Sequence, residues 1–268
     1  MTVVRRLGVV PSALVLLAAV LAAFAPAVFS AADPLRGDLA LRLLPPGGAH
    51  AFGTDELGRD VFARVVHGSA PSLQAAVIAV GVAVLAGGAI GLVAGTARGR
   101  LDDLIMRAVE VLLAVPSFLL ILVVVAVLGP GTREVALAVG VSAAAVFARL
   151  MRAEVIRVRG SGYVEAAAVC GTGRVATLVT HVLPNAAGPV AALATLELGN
   201  AVLTVAAVSF LGFGAPPPTP EWGALVAAGR PFLASAWWLT TMPGLVIVAV
   251  VLAVNHVGHV LRTRTEAR

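Results

Sequence analysis

The sequence predicts an all-α polytopic membrane protein with six transmembrane helices and both termini in the cytosol. Of the 268 residues, 59% are hydrophobic and only 12% are charged, about half the charged fraction of an ordinary soluble domain. Several uncharged runs are long enough to cross about 30 Å of hydrocarbon, which takes roughly 20 helical residues. The arginines flank these apolar runs, as expected for residues that orient membrane spans.

The placement of the arginines predicts the orientation, because positive charge favours the cytoplasmic side of a membrane. With the N terminus inside, the cytoplasmic segments carry Arg5, Arg6, Arg98, Arg100, Arg107, Arg149, Arg152, Arg157, Arg159, Arg174, Arg262, Arg264 and Arg268. The external segments then carry Arg36, Arg42, Arg59, Arg64, Arg133 and Arg230. The first group is the larger. Most of the second group lies in one long loop, which influences orientation less.

The chain contains no lysine, and this excludes two kinds of site. A P-loop needs a lysine to reach the phosphates of a nucleotide, so the chain does not bind ATP by that motif. Schiff-base chemistry also needs a lysine amine. We expect no cofactor in the chain, because no zinc cluster or phosphate loop stands out. We also expect no nucleic-acid partner, because the net charge of +5 comes from arginines beside apolar runs. The single cysteine, Cys170, excludes an intramolecular disulfide, and we interpret it as a packing residue.

Residues 1–32 form the predicted first transmembrane helix. Arg5 and Arg6 precede an uncharged run that extends from Leu7 to Ala32. The same pattern also fits a cleaved signal peptide, because small residues follow the apolar run. Both alternatives place the next segment, residues 33–69, outside the membrane.

The external segment contains the motif at residues 53–60, which reads GTDELGRD. If the chain is helical here, Asp55 with Arg59 and Asp60 with Arg64 are favourable pairs four residues apart. The apolar residues that follow would share one face. A helix over 52–64 would then suit a position at the membrane surface, and a solvated helix start is the alternative.

Five further spans are predicted after the external segment, at residues 71–97, 111–128, 135–150, 186–213 and 239–261. In the second span, Gly87, Gly91 and Gly95 repeat every four residues, a pattern that permits close helix packing. Pro116 removes a backbone hydrogen bond and is expected to kink the third span. Residues 263–268 make a cytoplasmic tail.

A long charged stretch, residues 150–185, separates the fourth and fifth spans and is predicted to be cytoplasmic. Residues 151–170 favour a helix with a narrow face of small side chains, and Gly171 is a natural left-handed terminator. Thr172 can cap a second short helix, which Pro184 would end before the fifth span. Such a small-residue hairpin fits the groove of a partner protein. An ordinary helical hairpin covering the inner membrane face is the alternative.

This stretch resembles the EAA loop of ABC importer permeases, because Glu165-Ala166-Ala167 is followed by Gly171 and, after eleven more residues, by Leu183-Pro184. Other stretches are similar to the dipeptide, oligopeptide and nickel permeases, specifically to the second permease subunit of the pair. They are residues 52–60, residues 181–185, residues 209–214 with the following prolines and Trp222-Gly223, and residues 236–238 with Pro243-Gly244.

The resemblance implies a type I ABC importer permease with a MetI-like fold over residues 70–262, in the inner or plasma membrane of a prokaryote. The cargo would be a peptide or a related small solute. The implied partners are a homologous permease in a heterodimer, two ATPase subunits that bind ATP and magnesium, an extracytoplasmic substrate-binding protein and the surrounding lipid. The residues implied in coupling to the ATPases are Glu165, Ala166, Ala167, Gly171, Leu183 and Pro184.

The chain departs from the family pattern at three positions. Thr180 stands where an arginine is common, Val205 where a glutamate is common, and His259 where an acidic residue is common. These departures leave details of coupling, packing and substrate open.

Glu197 is the only acidic residue well inside a predicted span. Acids within the membrane often mark functional sites, so Glu197 is a candidate residue of the translocation path or a polar contact within the bundle. His256 and His259 lie one turn apart, but we interpret them as interfacial histidines and predict no metal site. No catalytic constellation stands out, and we predict that the chain is not an enzyme.

An ion-gradient-driven secondary transporter is the alternative function. Such a protein would carry several polar groups within the membrane and often an inverted repeat. The sequence shows one intramembrane acid and no clear repeat.

Overall fold

The computed structural model describes residues 9–97 and 99–265, and the prediction of an all-α fold is confirmed there. The helices, in chain order, are α1 (Val9–Phe24), α2 (Val61–Thr96), α3 (Arg100–Ala114), α4 (Ser117–Leu128), α5 (Thr132–Arg159), α6 (Gly162–Val169), α7 (Arg174–Phe213), α8 (Trp222–Gly229) and α9 (Trp238–Thr265). The predicted start of the first span, Arg5, Arg6, Arg98 and the end of the tail at Arg268 lie outside the described residues.

In the described part of the chain, four helices are long and apolar enough to cross a membrane: α2, α5, α7 and α9. Helices α3 and α4 meet the same requirement as a pair, but they are bent by 96°. The bend confirms the predicted break at Pro116, since a proline disfavours helical backbone at the residue before it. Helix α1 is apolar and 16 residues long in the described part. These segments are consistent with six spans, but in the described part only four helices, or five spans with the bent pair, meet the length requirement.

Helix α5 lies at the centre of the bundle and packs against α2, α4 and α7. Helix α9 packs against α7, α8 and α1, and α1 also contacts α2. The side chains of Val135, Phe147 and Val155 on α5 are fully buried. Large apolar side chains on the outside of the bundle, such as Leu85 and Leu252, are exposed, as expected for a protein whose outer surface meets lipid.

The repeated glycines of α2 bring its backbone against α5. A Cβ atom at Gly87 would collide with the carbonyl of Ala144, and one at Gly91 would collide with the carbonyl of Ala148. A Cβ atom at Gly95 would lie 2.8 Å from the Val155 side chain. The close approach predicted from the four-residue glycine spacing is thus confirmed.

Residues 52–60 do not form the surface helix that their charge spacing allows. Gly53 and Gly58 have positive φ angles of 74° and 71°, a conformation that an α-helix does not contain. Residues 52–60 instead form a turn, in which Thr54 and Asp60 make an antiparallel bridge. This turn closes the segment that precedes α2.

Helix α2 begins at Val61, ten residues before the predicted span. The carboxylate of Asp60 caps it by accepting the N–H of Ala63 at 2.8 Å. The predicted pair of Asp55 and Arg59 is present at 2.7 Å, whereas Asp60 lies against His50 Nδ1 at 2.7 Å and not against Arg64. The first turns of α2 are buried in the core, so residues 61–70 extend the predicted second span at its N-terminal end.

Candidate functional site

The stretch predicted to be the coupling loop starts where α5 ends. Helix α5 continues to Arg159, and Gly160 and Ser161 then turn the chain into α6. The continuous helix predicted over residues 151–170 is therefore wrong. The Ser161 hydroxyl donates to the carbonyl of Val158, and its own carbonyl accepts the N–H of Val164 at 3.0 Å. These local bonds end one helix and begin the next.

Gly171 ends α6 as predicted, because its φ angle is +85°. The N–H of Thr172 donates to the carbonyl of Ala167 at 3.1 Å, the bond across the turn that defines a Schellman motif. Gly171 itself is exposed, and a Cβ atom there would meet nothing within 4 Å. The turn is therefore fixed by its backbone and open to a partner.

Two predictions about the second helix of the loop are wrong. The N-cap of α7 is Gly173, without a side-chain hydrogen bond, so Thr172 is not the cap. Pro184 does not end the helix, because α7 continues to Phe213. A π-helical segment at Leu178–Val182 precedes the proline. Such a segment accommodates the missing N–H and the bulk of the ring without breaking the helix.

A cavity of about 630 Å³ lies where the ends of α2, α5, α6 and α7 meet. Glu165 lines it, but the other five predicted coupling residues do not. Ala166, Gly171 and Pro184 are exposed, while Ala167 and Leu183 are half-buried. The lining residues are Thr96, Arg159, Val164, Glu165, Thr172, Arg174, Val175, Thr177, Leu178 and Val182.

Exposed apolar side chains flank the turn beside this cavity. Val169 is 88% exposed and Val175 is 75% exposed, one on each side of the Gly171 turn. In contrast, Val164 and Val182 are buried and hold the loop against α5. A loop that is anchored on one side and exposes apolar groups on the other has the character of a protein-binding surface.

Two arginines fix the base of the loop to the bundle, and sequence reasoning missed both contacts. Arg159 donates to the carbonyls of Gly95 and Thr96 at 2.7 and 2.9 Å, at the C-terminal end of α2. Arg152 makes two bonds of 2.6 Å to the carboxylate of Asp102 in the first turn of α3. Paired bonds of this kind fix geometry as well as charge. Neither contact has a local sequence signal, because the partners are distant in the chain.

Glu197 lies apart from the loop, beside a second cavity of about 300 Å³. It is half-buried on α7, and the amide of Asn200 donates to its carboxylate at 3.4 Å. The cavity lies among α2, α4, α5 and α7. Its polar lining side chains are Ser117, Ser142, Glu197, Asn200 and Thr204.

Glu221 is a buried acid that sequence reasoning did not single out. It is fully buried and caps α8, accepting the N–H groups of Gly223 and Ala224 at 3.1 and 3.2 Å. The hydroxyl of Ser72 on α2 also donates to it, at 3.3 Å. The neighbouring Trp222 donates its indole N–H to the carbonyl of Val65 at 3.0 Å. This cluster fastens α8 to α2, and an acid directly before a helix start was its only sequence signal.

Burial raises the pKa of Glu221, although the hydrogen bonds that it accepts oppose this shift. The contribution of Glu221 to the free energy of unfolding is therefore complete below the ordinary pKa near 4.5 and is lost as the pH rises through the raised value.

We expect the melting temperature of the detergent-solubilised protein to fall less steeply from pH 5 to pH 8 in E221Q than in the wild type. E165Q, which changes an exposed glutamate, should keep the wild-type slope. Equal slopes for E221Q and the wild type would contradict the prediction.

The two histidines near the end of α9 lie one turn apart, at His256 and His259. Within residues 9–97 and 99–265, no group of three or more His, Cys, Asp or Glu side chains is arranged to hold a metal ion.

Comparison with known proteins gives one family. The family model of the binding-protein-dependent transport system inner membrane component matches residues 87–268. The Di/tripeptide transport system permease protein DppC of Pseudomonas aeruginosa is 40% identical over 232 residues, covering 84% of this chain and 77% of that protein. The Dipeptide transport system permease protein DppC of Haemophilus influenzae is 37% identical over 242 residues, covering 88% and 82%.

A solved structure of the MetNI methionine ABC transporter in inward-facing conformations has the same fold. The TM-score is 0.61 at 16% identity, covering 74% of this chain and 94% of that one. This confirms the MetI-like architecture predicted from the resemblance. No comparison supports the ion-gradient alternative. The chain therefore belongs to the binding-protein-dependent transport system inner membrane components, and it is a multi-pass permease subunit of an ABC importer.

Proposed function

We propose that this permease subunit imports peptides across the inner or plasma membrane of a prokaryote. A homologous permease would complete the translocation path as the second half of a heterodimer. Two separate ATPase subunits, which bind ATP and magnesium, would dock at the loop of residues 150–185, and an extracytoplasmic binding protein would deliver the cargo. The peptide substrate is proposed because the relatives named above are di- and tripeptide permeases.

The observation that carries this proposal is the exposed Gly171 turn beside the 630 Å³ cavity. Helix α6 places Glu165 and Ala166 on an accessible surface next to this turn. Pro184 is also exposed, while Ala167 and Leu183 are half-buried. We assign the coupling role to these residues together with Gly171.

The contacts at the base of the loop explain how a push on α6 would reach the membrane spans. Arg159 connects the end of α5 to the end of α2, and Arg152 connects α5 to α3. Val182 and Ala186 near the start of α7 are buried and pack against buried side chains of α5. Because packed elements move as units, displacement of the loop by the ATPases would shift α2, α5 and α7 together.

Reconstitution of the complete importer in proteoliposomes tests the function. We expect a radiolabelled dipeptide to accumulate only with the binding protein outside and with hydrolysable ATP available to the ATPase subunits. A non-hydrolysable ATP analogue is the matched control and should abolish accumulation. Accumulation that follows an imposed proton or sodium gradient without ATP would overturn the proposal, and accumulation of nickel in place of peptides would overturn the substrate assignment.

A further inference from the structure

We propose that Glu197 binds the N-terminal ammonium group of a peptide during its passage through the membrane. This inference rests on the proposed import of peptides. Glu197 lies in the middle third of α7, which spans Arg174–Phe213. An ionisable group at such a depth is costly and often marks the path of a substrate.

The carboxylate of Glu197 has an incomplete set of partners. Among residues 9–97 and 99–260, no arginine or histidine nitrogen lies within 4.0 Å of it. Its hydrogen bond from Asn200 is long, at 3.4 Å. A carboxylate in an apolar bundle without a cation is unfavourable, so a cationic ligand that enters the cavity would be attracted to this position.

The cavity beside Glu197 suits the end of a small peptide. Its volume of about 300 Å³ is at the lower limit of the roughly 300–1,000 Å³ typical of small-ligand sites. Its apolar walls include Ala79 and Ala83 from α2 and Val139 from α5, while Ser142 and Thr204 add hydroxyl groups. Apolar walls with a few converging polar groups are what a ligand needs for orientation.

An ammonium group fits this lining better than a metal ion does. An ammonium donates at most three hydrogen bonds, which the two oxygens of Glu197 and a neighbouring hydroxyl would accept. Calcium needs about six to eight oxygen ligands, and magnesium needs a near-ideal octahedron. Glu197 is the single carboxylate of this lining, and the described residues contain no group of three or more His, Cys, Asp or Glu side chains that could hold a metal ion.

The packing of α7 directs this site away from the contact with α9. A Cβ atom at Gly199 would collide with the side chain of Asn255 on α9. Asn200, the next residue, is exposed and lines the cavity together with Glu197. Glu197 therefore faces a space bounded by α2, α4 and α5, and it does not lie in the α7–α9 seam.

The first test compares three substitutions in the reconstituted importer. We expect E197Q to lower the initial rate of ATP-driven dipeptide uptake about tenfold, the size typical of losing a charge-assisted hydrogen bond. E197D should recover most of the uptake because it keeps the charge. E110Q makes the same change at an exposed position on α3 and should retain wild-type uptake.

Assembly and ATP hydrolysis are measured in parallel. We expect E197Q to assemble with its partners and to hydrolyse ATP in the presence of the loaded binding protein. Undiminished uptake in E197Q would overturn the inference. Failure of both E197Q and E197D to assemble would also overturn it, because Glu197 would then be a structural contact of the bundle. A wild-type importer that transports no peptide would instead overturn the proposed function itself, and this inference with it.

A charge-restoration experiment uses the single cysteine of the sequence. In a C170A background, E197C should have low uptake. Reaction with 2-sulfonatoethyl methanethiosulfonate restores a negative charge and should raise uptake several-fold, whereas the trimethylammonium reagent should not. Identical effects of the two reagents, or no effect of either, would overturn the assignment of an ammonium-binding carboxylate. The C170A protein without the second substitution is the control for labelling elsewhere in the complex.

Discussion

Replacing Gly171 with aspartate is expected to abolish uptake while the subunit still accumulates in the membrane. The φ angle of Gly171 is +85°, a conformation that costs an ordinary residue about 1–2 kcal/mol. The substitution also adds a charged side chain to the exposed turn that we assign to ATPase docking. Because a Cβ atom there would meet nothing within 4 Å in this chain, the bundle itself should still fold. The measurements are uptake, the amount of protein in the membrane and co-purification of the ATPase subunits.

Two further variants separate the causes of this loss. G171A introduces the backbone strain without the charge and should retain part of the uptake. G173D places the same charge two residues later, at the N-cap of α7, where the φ angle is −62° and aspartate is favourable. We expect G173D to retain more uptake than G171D. Normal assembly together with normal uptake in G171D would contradict the docking role of this turn.

Local features of the loop could be predicted from the sequence because they depend on neighbouring residues. Gly171 has the left-handed conformation that a helix-ending glycine favours. Glu165 and Ala166 are helical as predicted, although they lie on the short helix α6 and not on a continuous helix over residues 151–170. Long-range contacts could not be predicted. Arg159 meets the carbonyl of Gly95 across 64 residues of chain, and no periodicity or spacing indicates such a pair.

Two differences between the sequence analysis and the structure have separate physical reasons. Charge spacing allowed a helix through the 53–60 motif, but Gly53 and Gly58 take positive φ angles there. Pro184 was expected to end a helix, but the preceding π-helical segment at Leu178–Val182 absorbs it. At the motif the glycines themselves favour the observed turn, and at Pro184 a local widening of the helix lets it continue through the proline.

The burial of Glu221 could not be predicted from the sequence, because no local pattern indicates it. Its carboxylate accepts a hydrogen bond from Ser72, which is 149 residues away. The packing of α8 against α2, α7 and α9 makes it a buried acid. The resemblance to peptide permeases drew attention to Trp222 and Gly223, the two residues that follow it, and in the structure Trp222 belongs to the same cluster.

Replacing Gly91 with valine is expected to prevent stable folding of the bundle, in contrast to the change at Gly171. A Cβ atom at Gly91 would collide with the carbonyl of Ala148 and would lie 2.8 Å from the Cβ atom of Met151. It would also lie 2.9 Å from the backbone nitrogen of Arg152. Two of these neighbours are backbone atoms that cannot move aside as a flexible side chain can. Overpacking of this kind typically costs about 1–3 kcal/mol, and more where backbone must shift.

The matched control for this change is G81V on the same helix. A Cβ atom at Gly81 would meet nothing within 4 Å, so the valine should have space there. We expect G91V to lower both the amount of subunit in the membrane and its melting temperature in detergent, and G81V to lower neither by a comparable amount. Equal losses in the two variants would show that the cost comes from placing valine in α2 and not from the α2–α5 contact. Because Arg159 on α5 binds the carbonyls of Gly95 and Thr96 on α2, separation of α2 from α5 should further weaken the base of the coupling loop. Uptake by the G91V protein that remains in the membrane should therefore be lower per molecule than in the wild type.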